Sequence, residues 1–180
     1  MADSNITKRA LASALKELIG EKAFEKISVG DICEKCEMNR KSFYYHFKDK
    51  YDLVNWIFDT EFIAATNKKR YETGWDLLAD ISRLFYDNRD FYRKVLCIKG
   101  QNSFSDHFRE LLLSVIGSRL HDILNIEITQ EFQINFFTDA FVMAFQRWIL
   151  EYTSMLPSEF LAQIKICIQY LAVRYSELEP

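Results

Sequence analysis

Apolar positions in the first third of the chain recur at three- and four-residue steps. Ile6, Ala10, Leu11, Ala14, Leu15, Leu18 and Ile19 form one stripe, the mark of an amphipathic helix. Ser4 stands where an N-cap belongs, and Gly20 where the stripe fades. Phe24 and Ile27 lead to Ser28, with Asp31 three residues on, close to a capping box. That box opens a second helix from Val29 to about Cys36, burying Ile32 and either Cys33 or Cys36. Glu37 and Met38 make a turn. Asn39 caps a third helix that runs to Phe47, with Phe43 and Phe47 facing inward four residues apart. After a break at residues 48–50, a long fourth helix keeps Leu53, Val54, Ile57, Phe58 and Phe62 in register, and the polar residues 67–70 read as its exposed end.

Five further helices are predicted at about residues 75–87, 89–98, 103–124, 130–152 and 157–177. Gly74, Gly100-Gln101-Asn102 and Met155-Leu156-Pro157 separate some of them. Two prolines and five glycines leave little room for an all-β fold, so the reading is all-α, about nine helices. Three short helices form a head over residues 4–64, and a helical bundle forms a body over residues 65–180.

The last two helices are apolar beyond a single stripe. Phe132, Phe136, Phe137, Ala140, Phe141, Met143, Ala144, Phe145, Trp148, Ile149 and Tyr152 cover most of one; Leu161, Ile164, Ile166, Cys167, Ile168, Leu171, Ala172 and Tyr175 do the same for the other. Such helices are buried on two sides. Either both are central in a monomer core, or a second copy of the chain covers one side, in a four-helix interface across a two-fold axis.

Charge adds a modest asymmetry. Residues 1–50 hold ten Lys/Arg against eight Asp/Glu (+2) and residues 51–180 thirteen against eighteen (−5), giving −3 overall. A weakly basic head on an acidic body fits local contact with phosphates. No apolar run resembles a signal peptide or a membrane span, and four cysteines without a disulfide framework point to a reducing cytoplasm.

Candidate chemistry concentrates in residues 40–50, where Arg40, Lys41, Ser42, Tyr44, Tyr45, His46, Lys48 and Lys50 crowd one short element. Cations, hydroxyls and aromatics together suit a nucleic-acid backbone. Cys33 and Cys36 lack the second pair or nearby His that zinc requires and read as core; His107 and His121 stand alone. No phosphate loop, nucleophile elbow or His-Glu metal pair is present, so no enzyme, metal or cofactor is indicated.

Residues 4–64 resemble the DNA-binding domain of the tetracycline-repressor (TetR) family of bacterial transcriptional regulators. The resemblance is carried by Ser28, Asp31-Ile32-Cys33, Cys36-Glu37-Met38-Asn39, Phe43-Tyr44-Tyr45-His46-Phe47, Lys50 and Leu53, with a helix-turn-helix at about residues 28–47. Glu37 stands where that family has glycine, and dislikes a positive φ. The resemblance implies a homodimer, joined through the last two helices, that places the third helix in the major groove of a palindromic operator on double-stranded DNA. It implies base-edge contacts from Arg40 and Lys41, and phosphate contacts from Ser42, Tyr44 and His46. Lys50 would neutralise a further phosphate, the backbone N–H groups of Val29 and Gly30 another, and Asn39, Ser28 and Tyr45 complete the expected surface. Repression is favoured over activation on the same grounds.

The resemblance further implies that the body binds an effector, either a small molecule or a protein co-activator. Phe104, Phe108, Phe137, Phe141, Gln146 and Arg147 are the candidate pocket residues, although Gln146 and Arg147 could equally face solvent. Residues 91–112 are similar to a C-terminal type found in Gram-positive members, which includes an activator of dihydroxyacetone-kinase genes and takes its signal through a partner protein. A regulator without a pocket of its own, or a helical adaptor that no longer reads DNA, is the alternative.

Overall fold

The computed structural model describes residues 2–66, 70–98, 103–124, 130–152 and 154–178. Every regular element among them is helical: α1 (Ala2–Glu21), α2 (Val29–Lys35), α3 (Arg40–His46), α4 (Lys50–Thr66), α5 (Gly74–Asp87), α6 (Arg89–Leu96), α7 (Phe104–Ile116), α8 (Leu120–Leu124), α9 (Glu131–Glu151) and α10 (Pro157–Leu178). Single 3-10 turns stand at Phe24–Lys26 and Gly117–Arg119. The all-α expectation holds. The tenth helix arises because the stretch expected over residues 103–124 breaks at Gly117, a residue that weakens any helix it interrupts. Ser4 lies inside α1, which begins at Ala2 rather than after that serine. Residues 67–69 and Gly100-Gln101-Asn102, expected as a helix end and a separator, lie outside the described residues.

The chain forms two compact units, Met1–Ala64 with Asn88–Phe108, and Ala65–Asp87 with Arg109–Pro180. In the first, Leu11, Leu15 and Ile19 of α1, Ile32 of α2, Phe43 of α3, and Leu53, Val54, Ile57 and Phe58 of α4 are buried. Phe58 sits at the centre, its ring 5.2 Å from Phe104, 5.7 Å from Phe108 and 6.0 Å from Tyr92. Truncating so enclosed a phenylalanine removes about 3–5 kcal/mol. Polar ties surround this apolar centre. Glu61 of α4 accepts from Lys16 of α1 and, at 2.8 Å, from the Tyr92 hydroxyl of α6. Burial, reinforced by the Glu61 carboxylate, holds the Tyr92 phenol well above its usual pKa, so it remains a donor. Asp59 lies 2.6 Å from His107 Nε2, and Lys94 donates to the carbonyls of Ile19 and Gly20 at the end of α1.

In the second unit Trp148 and Phe160 stack at 4.3 Å between α9 and α10, and the Trp148 indole N–H donates to the Met155 carbonyl at 3.0 Å. Phe145 meets Phe85 of α5 at 5.7 Å. Gly74 opens α5 against α8 so closely that a Cβ there would lie 2.5 Å from Ile123 Cγ1. Thr73 caps that helix: its hydroxyl accepts from the Asp76 N–H, and the Asp76 carboxylate accepts from the Thr73 N–H.

The sequence between residues 28 and 39 is resolved into two well-formed caps. Ser28 Oγ accepts from the Asp31 N–H at 3.1 Å while Asp31 Oδ2 accepts from the Ser28 N–H at 2.7 Å. At the far end of α2 the Met38 N–H reaches the Cys33 carbonyl at 2.8 Å and the Glu37 N–H the Glu34 carbonyl at 3.2 Å. This is a Schellman closure, and it puts Glu37 at φ 56°, in the left-handed region.

Two outcomes follow for stability. Left-handed backbone costs a side-chain-bearing residue about 1–2 kcal/mol, and glycine's greater freedom when unfolded gives back about 0.5–1. Glu37→Gly is therefore expected to raise the unfolding free energy by about 0.5–1 kcal/mol in urea melts, with Glu37→Val lowering it. The Asp31 carboxyl is held at about 2, below its ordinary 3.8, first by the Ser28 N–H and then by Lys22. A depressed acid stabilises the fold above its unfolded pKa and loses that contribution as pH falls through the folded one. Thermal midpoints taken from about pH 5 to about pH 2 should therefore fall less steeply in Asp31→Ala than in the parent.

Candidate nucleic-acid interface

Two seven-residue helices carry the candidate surface, and each is anchored on one side only. Ile32 and Cys33 bury the inner face of α2; Phe43 and the capping Phe47 bury that of α3. Asn39 starts α3, its Oδ1 accepting from the Ser42 N–H at 2.8 Å and from Ser42 Oγ at 3.2 Å. Asn39 and Ser42 thus hold the helix as well as standing at its exposed end.

The opposite face of α3 is open. Arg40, Lys41, Tyr44 and Tyr45 are exposed, the last at 83%, and Ser42 and His46 are half-buried. Tyr44 packs edge-on against Phe43 at 5.5 Å, which aims its ring from the core outward; Tyr45 meets the His46 ring at 4.8 Å. Among the described residues, Arg40, Lys41 and Lys48 form no ion pair. Lys22 does, with Asp31 at 3.1 Å, and Lys35 bridges Glu17 and Glu21 at 3.3 and 2.8 Å. The guanidinium of Arg40 rests over Gly30, where a Cβ would meet Nη2 at 2.5 Å. Ser28, Val29, Gly30, Asn39, Arg40, Lys41, Ser42, Tyr44, Tyr45 and His46 therefore all belong to the two helices and their caps.

Lys50 departs from this pattern. Its ammonium donates to the carbonyls of Phe24 and Ile27, both at 2.7 Å, and of Glu25 at 3.4 Å, and lies 4.4 Å from the centre of the Phe24 ring. Burial pushes its pKa below the usual lysine value, with the Glu25 and Asp31 carboxylates opposing. Cys33 and Cys36 are buried and half-buried, and burial raises both thiols, which suits packing rather than reactivity.

The expected pocket residues are divided between the two units. Phe104 and Phe108 are fully buried in the first unit, stacked 6.2 Å apart. Phe137, Phe141 and Arg147 line an apolar groove of about 670 Å³ along α9 and α10 in the second unit, with Phe136, Met143, Tyr152, Ile164 and Cys167 among its walls; Gln146 is not part of the lining. Sequence alone leaves the apolar residues of these two helices to a monomer core or to a second copy, with Phe137 and Phe141 also candidates for a pocket.

Comparison with known proteins agrees with this geometry. The family description "Bacterial regulatory proteins, tetR family" matches residues 11–57, and "Transcriptional regulator C-terminal region" matches residues 74–170. The chain is 33% identical over 99 residues to the HTH-type dhaKLM operon transcriptional activator DhaS of Lactococcus lactis subsp. lactis (strain IL1403), a stretch covering 54% of this chain and 53% of that protein. It is 27% identical over 85 residues to the transposon Tn10 TetC protein of Escherichia coli, 45% of this chain and 43% of that one. The matched stretches thus span about half the length of these curated relatives. Two solved structures share the fold over nearly all of the chain. The dihydroxyacetone kinase operon activator DhaS does so with a TM-score of 0.64 at 22% identity, covering 94% of this chain and 96% of that one. A TetR transcriptional regulator from Streptococcus agalactiae 2603V does so with a TM-score of 0.69 at 21% identity, covering 93% and 96%. Matched by that C-terminal description over more than half its length, and by the tetR description over its helix-turn-helix, the chain belongs to the TetR family of bacterial DNA-binding transcriptional regulators.

Proposed function

We propose that the protein is a homodimeric, sequence-specific regulator that grips a palindromic operator with two copies of α3 and is controlled by an effector or partner acting on its C-terminal part. The observation that carries this is the outer face of α3: cations without an ion pair among the described residues and exposed phenols, on a short helix capped by Asn39 and anchored by the buried Phe43. Arg40 and Lys41 lead that face and are suited to guanine edges, where a bidentate Arg discriminates by about 1–3 kcal/mol. Tyr44, Ser42, His46 and the first N–H groups of α2 suit phosphates, which fix register without reading sequence. Lys48, exposed and without an ion pair among the described residues, is better placed for a phosphate than Lys50, whose donors are already satisfied.

Dimerisation is supported by the outward sides of α9 and α10. Phe132 (79%), Phe136 (58%), Met143 (55%) and Tyr170 (71%) are exposed along the two helices that carry the groove. A second copy is the occupant proposed. Two copies related by a two-fold axis would lay the same stripe against itself, closing a four-helix contact and spacing two heads for two half-sites. No helix among the described residues is long and apolar enough to cross a membrane, and a cytoplasmic site of action is proposed.

Control by a partner protein is favoured over a small-molecule pocket by one observation. The aromatic pair expected to line a pocket, Phe104 and Phe108, is packed against Phe58 instead. The likeness to an operon activator makes activation a second reading of the sign, which a promoter-reporter assay with and without the protein decides.

Fluorescence anisotropy with the duplex upstream of the protein's own gene tests DNA reading. Arg40→Ala should relax base preference, while Lys48→Ala should weaken all sequences alike and lower the salt slope by about one. Equal losses for Arg40→Ala on specific and random duplexes would remove its base-reading role. Sedimentation tests assembly: the parent should run as a dimer, and Phe136→Asp combined with Met143→Asp as a folded monomer with operator affinity reduced at least about tenfold. A parent that stays monomeric at about 50 µM would end the dimer proposal.

A further inference from the structure

The ammonium of Lys50 is the most fully bonded cation of the head. It has three N–H donors, and three carbonyl oxygens converge on it: Phe24 and Ile27 at 2.7 Å and Glu25 at 3.4 Å. All three belong to the 3-10 turn Phe24–Lys26 and its C-cap Ile27. The Phe24 carbonyl also takes the Ile27 N–H at 3.0 Å, closing the turn, while a turn this short offers few such bonds to the carbonyls that follow, and a donor from elsewhere supplements them. The Phe24 ring, 4.4 Å from the ammonium, adds a cation–π contact, and the half-buried setting makes unpaired charge there costly. Reaching a phosphate would require Lys50 to give up all of these bonds.

The two ends of this tie lie at two helix starts. Ile27 immediately precedes Ser28, whose capping box launches α2. Lys50 is the first residue of α4, a start fixed in turn by Asp49 Oδ1, which accepts from the N–H groups of Tyr51 at 2.8 Å and Asp52 at 2.9 Å. From this we propose that Lys50 is a positioning residue: it locks the turn ahead of α2 to the start of α4 and thereby sets the pose in which α2 and α3 meet DNA, instead of neutralising a phosphate. The inference rests on the DNA-binding reading for its purpose, but the tie itself is independent of it.

The geometry separates the two roles through Lys50→Arg. Arginine keeps the charge, so a phosphate contact would survive, but a planar guanidinium cannot aim three N–H groups at three carbonyls converging on one point. The experiment uses the full chain with Lys50→Met, Lys50→Arg and Lys48→Ala. Amide hydrogen exchange over residues 24–31 is followed in the free protein, and anisotropy titrations on the upstream duplex are repeated at several salt concentrations. Both Lys50 variants should exchange at least about tenfold faster over that segment and bind DNA roughly tenfold more weakly, with the salt slope unchanged. Lys48→Ala should show the reverse, normal exchange with a lowered slope. Should Lys50→Met fail to fold, Lys50→Arg makes the same comparison. Wild-type binding by Lys50→Arg, together with a slope lowered by about one in Lys50→Met, overturns the proposal. If the parent binds no duplex, the DNA reading fails on its own. Exchange over residues 24–31 then still decides whether Lys50 holds the turn, faster exchange upholding the tie and unchanged exchange ending it.

Discussion

Seven residues are too few for a helix to stand alone. Nucleation fixes several residues for each hydrogen bond gained, and isolated helices below about 12–15 residues are marginal in water. The two helices that carry the candidate surface are each that short, so their existence depends on what holds their ends and inner faces. The ends are held by reciprocal bonds between Ser28 and Asp31, by the Asn39 cap and by the Schellman closure through Glu37. The inner faces are held by Ile32, Cys33, Phe43 and Phe47, all buried. Because the anchors occupy one side, the remaining side chains have nowhere to go but outward. Exposure of Arg40, Lys41, Tyr44 and Tyr45 is thus a consequence of how α3 is stabilised.

Local chemistry of this kind is legible in a sequence. A serine three residues ahead of an aspartate, an asparagine ahead of a serine, and two phenylalanines four apart each name their partners within one helical turn. The strain at Glu37 was readable too, since the turn asks for a positive φ that only glycine adopts freely. The fate of Lys50 was not. Four methylenes let its ammonium reach either an external phosphate or an internal carbonyl, and the choice depends on Phe24, Glu25 and Ile27, more than twenty residues away in the chain. The packing of Phe104 and Phe108 on Phe58 is illegible for a related reason. Aromatic spacing says that a face is buried, but whether it meets a ligand or Phe58 is a tertiary fact.

The first unit shows the same limit on a larger scale. A head ending near residue 64 follows from periodicity, yet the compact unit also takes in Asn88–Phe108. Besides the packing of Tyr92, Phe104 and Phe108 on Phe58, that segment is tied in by polar pairs between residues far apart: Tyr92 with Glu61, His107 with Asp59, Lys94 with the end of α1. Each is complementary in a specific sense. A buried phenol finds a carboxylate, and an ammonium finds the carbonyls that a helix C-terminus leaves over. None has a signature within its own stretch of chain, so sequence reading assigned these residues to the body by adjacency alone.

Charge bookkeeping is altered by the same pairing. The formal +2 of residues 1–50 is a small number that hides two populations. Lys16, Lys22 and Lys35 face carboxylates, and Lys50 faces carbonyls, so their fields are largely answered within the fold. Arg40, Lys41 and Lys48 are not answered among the described residues, and they cluster on and beside one seven-residue helix. Screening in cellular salt confines electrostatic attraction to within about 8 Å of a charge. An approaching phosphate therefore senses that cluster and not the chain's net −3. Three acids of the head, Glu17, Glu21 and Asp31, are each held by a lysine and so oppose it less. A basic patch on an acidic protein arises here from answering several head charges within the fold and leaving Arg40, Lys41 and Lys48 together where one helix is exposed.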